Sequence, residues 1–114
     1  MGSATKMIDG YNIFDGTQLA LRDVVIVTAN YRLGAFGYLF GDSDDAPGNM
    51  GHWDQYQALE WVHQNIDRFG GNANDITIFG VSAGSISVSH HIISPISRGL
   101  FAKGIMQSGM TINK

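Results

Sequence analysis

The chain has 114 residues, no cysteine and a formal net charge of −3. That length holds one domain at most, the lack of cysteine excludes disulfides and thiolate metal sites, and the lack of a Lys/Arg cluster argues against nucleic-acid binding. Charged residues are 15% of the chain, below the ~25% usual for globular domains, so much of the surface is expected to pack against further polypeptide, the alternative being a small glycine-rich domain kept soluble by Ser, Asn and Gln.

Residues 1–20 are mixed and punctuated by glycine, with Asp15-Gly16 as a turn signal. Residues 1–10 carry no apolar core and do not read as a signal peptide. Val24-Val25-Ile26-Val27-Thr28 is an unbroken β-branched run. Apolar residues without alternation predict a strand buried on both faces, as in a parallel sheet. Residues 30–51 read as a long irregular connection. Within it Asp42, Asp44 and Asp45 lack the alternating ligands and central glycine of a calcium loop and read as solvated.

A helix is expected from about 51 to 68. Trp53, Tyr56, Leu59, Val62, Ile66 and Phe69 fall three or four apart and predict one apolar stripe. Asn49 is the expected N-cap, Asp54 sits near the positive end of the helix dipole, and Gly70-Gly71 stops the helix. His52 and His63 lie about 16 Å apart along it, too far to share a metal. A strand over 76–79 follows. A second helix runs from Ser82 to about 93 and ends before Pro95. After a loose turn around Leu100 and Phe101, 104–107 reads as a third strand. The order β–α–β–α–β predicts an α/β fold with a parallel sheet and right-handed crossovers. Residues 76–97 contain no Lys, Arg, Asp or Glu. Their glycines, serines, His90-His91 pair and Pro95 argue against a transmembrane helix.

Gly80-Val81-Ser82-Ala83-Gly84 is a G-x-S-x-G element between the 76–79 strand and the second helix. A strand running straight into a helix forces a sharp turn, and Gly80 and Gly84 let the two approach without Cβ clashes. A serine at that apex has its hydroxyl lifted clear of the sheet, at the strand's C-terminal end where open α/β sheets place ligands. The five letters alone are a weak signal, and a second reading stays open, in which Ser82 only caps the helix.

Further stretches stand in a particular order. They are Asn30-Tyr31-Arg32-Leu33-Gly34, Ala46-Pro47-Gly48-Asn49-Met50-Gly51, Asp54-Gln55, Trp61-Val62, Asn65-Ile66, Phe69-Gly70-Gly71, Ser94-Pro95, Gly99-Leu100-Phe101 and Met106-Gln107-Ser108-Gly109. With residues 23–28 and 76–84, they make the chain resemble the type-B carboxylesterase/cholinesterase family of the α/β-hydrolase fold, from about Phe14 onward.

The resemblance implies a serine esterase acting on small-molecule carboxylic esters through an acyl-enzyme, with no cofactor. Ser82 would be the nucleophile, and the Ala83 backbone N–H would donate to the oxyanion of the tetrahedral intermediate. Ser108 would lie near the catalytic centre as a hydrogen-bonding group, or serve as a plain turn serine. Arg32 and Asp54 would form a structural salt bridge, or remain two solvated charges. His90 and His91 follow Ser82 by about 12–13 Å of helical rise, out of reach as its base, and His91 reads as structural.

Family members are several times longer, so the chain is expected to be an internal segment of one hydrolase domain. The oxyanion glycines would precede Met1, and the acid and histidine of the triad would follow Lys114. The isolated segment is expected to be inert and to need the rest of the chain to complete the fold. A secretory-pathway location is favoured by the resemblance alone. Val81 stands where the family commonly has Glu, which puts cationic substrate preference in doubt. A non-catalytic adhesion or binding ectodomain of the same fold is the alternative, and Ser82 speaks against it because such relatives commonly lose that serine.

Overall fold

The computed structural model describes residues 7–8, 11–12 and 14–111. The reading of residues 1–10 otherwise lies outside them. Two short strands, β1 (Met7–Ile8) and β2 (Tyr11–Asn12), pair antiparallel. Asp15 then accepts hydrogen bonds from the backbone and hydroxyl of Thr17. This starts a single helical turn, α1 (Thr17–Ala20).

Residues 24–28 form no strand, contrary to the sequence reading. A strand is secured by a ladder to a neighbour, and among the described residues none pairs with this run. Val24, Val25 and Val27 stay between 43% and 46% exposed, so the expected burial on both faces is absent too. The 30–51 connection is more ordered than expected. It holds a short helix, α2 (Gly34–Tyr38), and an antiparallel pair, β3 (Phe40–Ser43) with β4 (Ala46–Pro47).

Helix α3 (Met50–Asn65) continues as a 3-10 turn over Ile66–Phe69 and ends at Gly70, whose φ is 80°. Asn49 stands at the N-cap with φ 59°, but its side chain caps nothing. Its carbonyl instead accepts the first helical bonds, from His52 and Trp53 N–H. The buried face of α3 is Gly51, Gln55 and Leu59, four apart. The expected stripe is only partly inside: Leu59 and Ile66 are buried, whereas Trp53 and Phe69 are exposed. Period alone does not say which of two neighbouring faces turns inward, and here a glutamine occupies the centre of the inner one.

Asn72 accepts a hydrogen bond from Asn74 N–H and shapes the turn into β5 (Thr77–Val81). Helix α4 (Ala83–Ile93) carries the chain back, and β6 (Lys103–Gln107) pairs parallel with β5 in register from Thr77↔Lys103 to Val81↔Gln107. This β–α–β unit is the part of the expected sheet that forms among the described residues. One face of β5 is inside, with Ile78 and Gly80 buried and Phe79 43% exposed. Ile78, Leu59 of α3 and Val88 of α4 make the core, flanked by Ile76, Leu100 and Phe101.

The loop before α2 is locked onto α3 at Arg32. Its N–H and Nε donate to Asp54 Oδ2 at 2.9 and 2.8 Å, and its Nη2 donates to Oδ1 at 2.7 Å. The guanidinium's hydrogen bond holds the Asp54 carboxyl below its ordinary pKa. Asp54 lies beyond the first turn of α3, so its partner is this guanidinium rather than the helix N-terminus. The close approach needs two glycines. A Cβ on Gly37 would lie 2.2 Å from the Arg32 carbonyl oxygen, and one on Gly51 would lie 2.5 Å from the same atom.

Leu59→Ala is expected to lower the unfolding free energy by about 2–5 kcal/mol. Gly37→Ala, which pushes against backbone rather than a movable side chain, is expected to cost about 1–3 kcal/mol. Urea unfolding of the full-length protein checks both, and an unchanged midpoint for either variant contradicts the packing described.

Candidate active site

Strand β5 ends at Val81 and α4 begins at Ala83, so Ser82 makes the whole turn between them. Its backbone sits at φ 53°, ψ −120°. L-residues avoid this region because Cβ crowds the backbone, at a cost of about 1–3 kcal/mol. Two hydrogen bonds pin it there: Ser82 N–H donates to Gln107 O at 2.9 Å, and Ile86 N–H donates to Ser82 O at 3.1 Å. The Ser82 side chain is exposed and makes no capping bond to α4. Ser82 thus stands at the N-cap position of α4 without capping it through its side chain.

The bond from Ile86 to Ser82 opens the helical ladder of α4. The N–H groups of Ala83, Gly84 and Ser85 precede it and sit at the positive end of the helix. The Ala83 N–H is the nearest to the Ser82 hydroxyl along the chain. Gly80 lies buried in β5 and Gly84 buried in the first turn of α4, on either side of the apex.

The chain leaving β6 runs beside this turn. Ser108 follows directly on the residue that accepts the Ser82 N–H, and has φ 61° itself. Ser85 Oγ donates to Gly109 O, and a Cβ on Gly109 would come within 3.1 Å of Ser82 O. One turn further, Ser89 Oγ accepts from Thr111 N–H at 2.9 Å. The serines of α4 thus strap residues 109 and 111 along the helix, and Ser108 lies in sequence between Gln107, bonded to Ser82, and Gly109, bonded to Ser85. Arg32 and Asp54 meet each other elsewhere, at the start of α3.

Sequence reasoning missed a buried polar chain between α3 and α4. His91 is 4% exposed; its Nδ1 pairs with Ser97 Oγ at 2.8 Å and its Nε2 with Gln55 Oε1 at 3.1 Å. Gln55 Nε2 donates to Ser87 Oγ at 3.2 Å, and Ser87 Oγ donates to Ala83 O at 3.0 Å. Burial, then the nearby His52 and His90, pushes the His91 pKa down to about 4. A second histidine contact also went unseen: His52 Nε2 and His90 Nδ1 share a hydrogen bond at 2.8 Å. The available signal was Gln55 standing four residues before Leu59 and four after Gly51.

The carboxylesterase family model matches residues 1–114, and the chain belongs to that family, whose fold is the α/β-hydrolase fold. The chain is 50% identical over 111 residues to cholinesterase 1 of Branchiostoma lanceolatum, covering 96% of this chain and 30% of that one. It is 54% identical over 102 residues to mouse carboxylesterase 5A, covering 89% of this chain and 18% of that one. It is 58% identical over 92 residues to juvenile hormone esterase of Tribolium castaneum, covering 81% and 16%. The chain thus spans less than a third of the length of these relatives.

The buried neutral state of His91 makes stability depend on pH. Its pKa falls from 6.5 unfolded to about 4 folded, so between these values the unfolded chain binds the extra proton. Stability is expected to be full above about pH 6.5, to decline as pH falls towards 4, and to level off below. Chemical denaturation across that range measures the slope, and His91→Asn is expected to flatten it. A slope unaltered in that variant assigns the titration to another group.

Proposed function

We propose that this chain carries the nucleophile of a serine carboxylic ester hydrolase and that Ser82 is that nucleophile, set on a strand-to-helix elbow. The observation that carries the reading is the exposed Ser82, held in a strained conformation between a parallel strand and a helix, with no capping bond. Strain of this kind persists only when surrounding structure over-determines it, and it concentrates at functional sites. Family membership supports the esterase class.

In this reading a base removes the Ser82 proton as Oγ attacks the ester carbonyl carbon. The carbonyl oxygen becomes an oxyanion, and the Ala83 N–H donates to it. Collapse expels the alcohol, which takes its proton from the protonated base, and leaves an acyl ester on Ser82. Water reverses the sequence and releases the acid. The base is not supplied by the neighbouring helix, since His91 is engaged by Ser97 and Gln55, and His90 by His52. The acid, the histidine and further oxyanion donors would come from polypeptide outside this segment, which would also cover the exposed Phe79, Ile105 and Met106. Ser108 would steady the hydrogen bonds around the reacting serine. With Val81 beside the nucleophile in place of an acid, the site has no built-in attraction for a cationic alcohol from that position.

The relatives' names include cholinesterases, juvenile hormone esterase and acylcarnitine hydrolase. Hydrolysis is common to those names and the substrate differs, so the substrate class proposed is a small-molecule carboxylic ester without finer assignment. A secretory-pathway location is part of the same proposal. No helix among the described residues is long and apolar enough to cross a membrane.

The full-length protein is expected to react covalently with a fluorophosphonate at Ser82, and Ser82→Ala to lose both the label and p-nitrophenyl ester hydrolysis, by 10³-fold or more, as roughly expected for a lost nucleophile. Ser82→Gly is expected to be equally inactive yet more stable by about 1 kcal/mol, because glycine relieves the strained φ. Labelling that survives in Ser82→Ala refutes the assignment.

A further inference from the structure

A second constellation lies apart from Ser82, where α3 faces α4. His52 Nε2 and His90 Nδ1 meet at 2.8 Å, with ring centroids 4.9 Å apart. Both rings line an open cleft of about 320 Å³, together with Asn49, Trp53 and Ile96. Tyr38 braces His52 edge-on, with ring centroids 5.3 Å apart. His91 lies behind the pair, its centroid 6.3 Å from that of His52, but both its nitrogens are taken by Ser97 and Gln55. The esterase reading uses neither His52 nor His90.

We propose that His52 and His90 form a two-imidazole site for a divalent transition metal of the copper(II) or nickel(II) class. Two neutral imidazole nitrogens converging on an open cleft are suited to such borderline ions. At a metal–nitrogen distance of about 2.0 Å, cis ligands near 90° place their nitrogens about 2.8 Å apart, the separation already present. Tetrahedral zinc asks for about 3.3 Å, so the helices would have to part further. The rings now meet nearly head-on, as a hydrogen bond requires. The metal replaces the shared proton as both rings pivot towards the open side of the cleft.

His52 Nδ1 is buried and makes no hydrogen bond among the described residues, and a metal on Nε2 leaves the ring proton on Nδ1 as an unpaired donor, which limits the affinity. No cluster of three His, Asp, Glu or Cys that could hold a metal occurs among the described residues. Among the described residues, the remaining positions on the ion are left to water or a small ligand entering the cleft. This makes a site of moderate affinity with open coordination rather than a closed structural one.

Titration of Cu²⁺ into the full-length protein, followed by equilibrium dialysis and electron paramagnetic resonance, tests the site without reading ester hydrolysis. The expected result is one bound Cu²⁺ whose spectrum shows splitting from two nitrogens and which disappears in His52→Leu and in His90→Leu, with affinity at least tenfold weaker. His63→Gln is the control, since His63 Nδ1 is also buried and unbonded but no imidazole partner faces it among the described residues. It should bind as the wild type does. His52→Gln keeps a polar side chain in the cleft and should lose the two-nitrogen signal while retaining the wild-type melting temperature. Copper affinity and spectrum that stay unchanged in folded His52→Gln, or no copper bound by the wild type beyond that held by the His52→Leu/His90→Leu double variant, overturns the proposal.

Discussion

At Ser82 the backbone passes from strand to helix through one residue at φ 53°, ψ −120°. Nothing in a serine favours that conformation, and a free chain would relax it at once. It is held because its N–H is bound to Gln107 on the neighbouring strand and its carbonyl starts the ladder of α4. The parallel register of β5 and β6 sets the first bond, and the helix sets the second. Ser82 is thus positioned by a partner 25 residues later in the chain and by the helix that follows it. The strain is stored locally and balanced by structure formed at long range.

The junction of α3 with α4 has a similar character. The apolar core is small: Leu59, Ile78 and Val88, with three part-buried neighbours. Beside it runs the chain Ser97–His91–Gln55–Ser87, all of it buried. Such a chain contributes little net stability compared with apolar packing of equal volume, but half of it removed is costly, because the remainder is left buried and unpaired. Its effect is to fix one relative placement of the two helices. Ser87 carries that placement to the Ala83 carbonyl, in the first turn after Ser82. The polar chain and the strained turn are therefore parts of one arrangement.

The sequence conveyed the local features and left the tertiary ones open. Gly70 as a helix stop, the strand read over 76–79 and found at 77–81, and the helix up to 93 follow from turn chemistry, β-branching and a proline, which act over a few residues. Residues 24–28 show the limit. Their β propensity is strong, yet propensity measures fit to a sheet, and no described strand lies beside them. The α3 stripe shows another. Trp53 and Phe69 had the right period and ended exposed, while Gln55 was drawn inside by His91 and Ser87. At the candidate site, the position of Ser82 was legible from five residues. Its neighbours were less so: Ser108 was an expectation from a family resemblance, and the straps from Ser85 and Ser89 to residues 109–111 depend on contacts more than 20 residues apart.

These contacts also explain why α4 is so rich in serine. A helix that packs only on apolar neighbours would place Leu or Ile at its inner positions. Here Ser85, Ser87 and Ser89 are all buried, and each hydroxyl meets a named acceptor or donor: the Gly109 carbonyl, the Gln55 amide and the Thr111 N–H. Small side chains let the chain after β6 and helix α3 approach the α4 backbone closely, and their hydroxyls satisfy polar groups that such an approach would otherwise strand. Larger apolar residues would fill the same volume but push Gln107, Ser108 and Gly109 away from Ser82. The helix following the candidate nucleophile gives up apolar burial to keep that strand end against the turn, and the turn keeps its strained shape only while the strand end stays there.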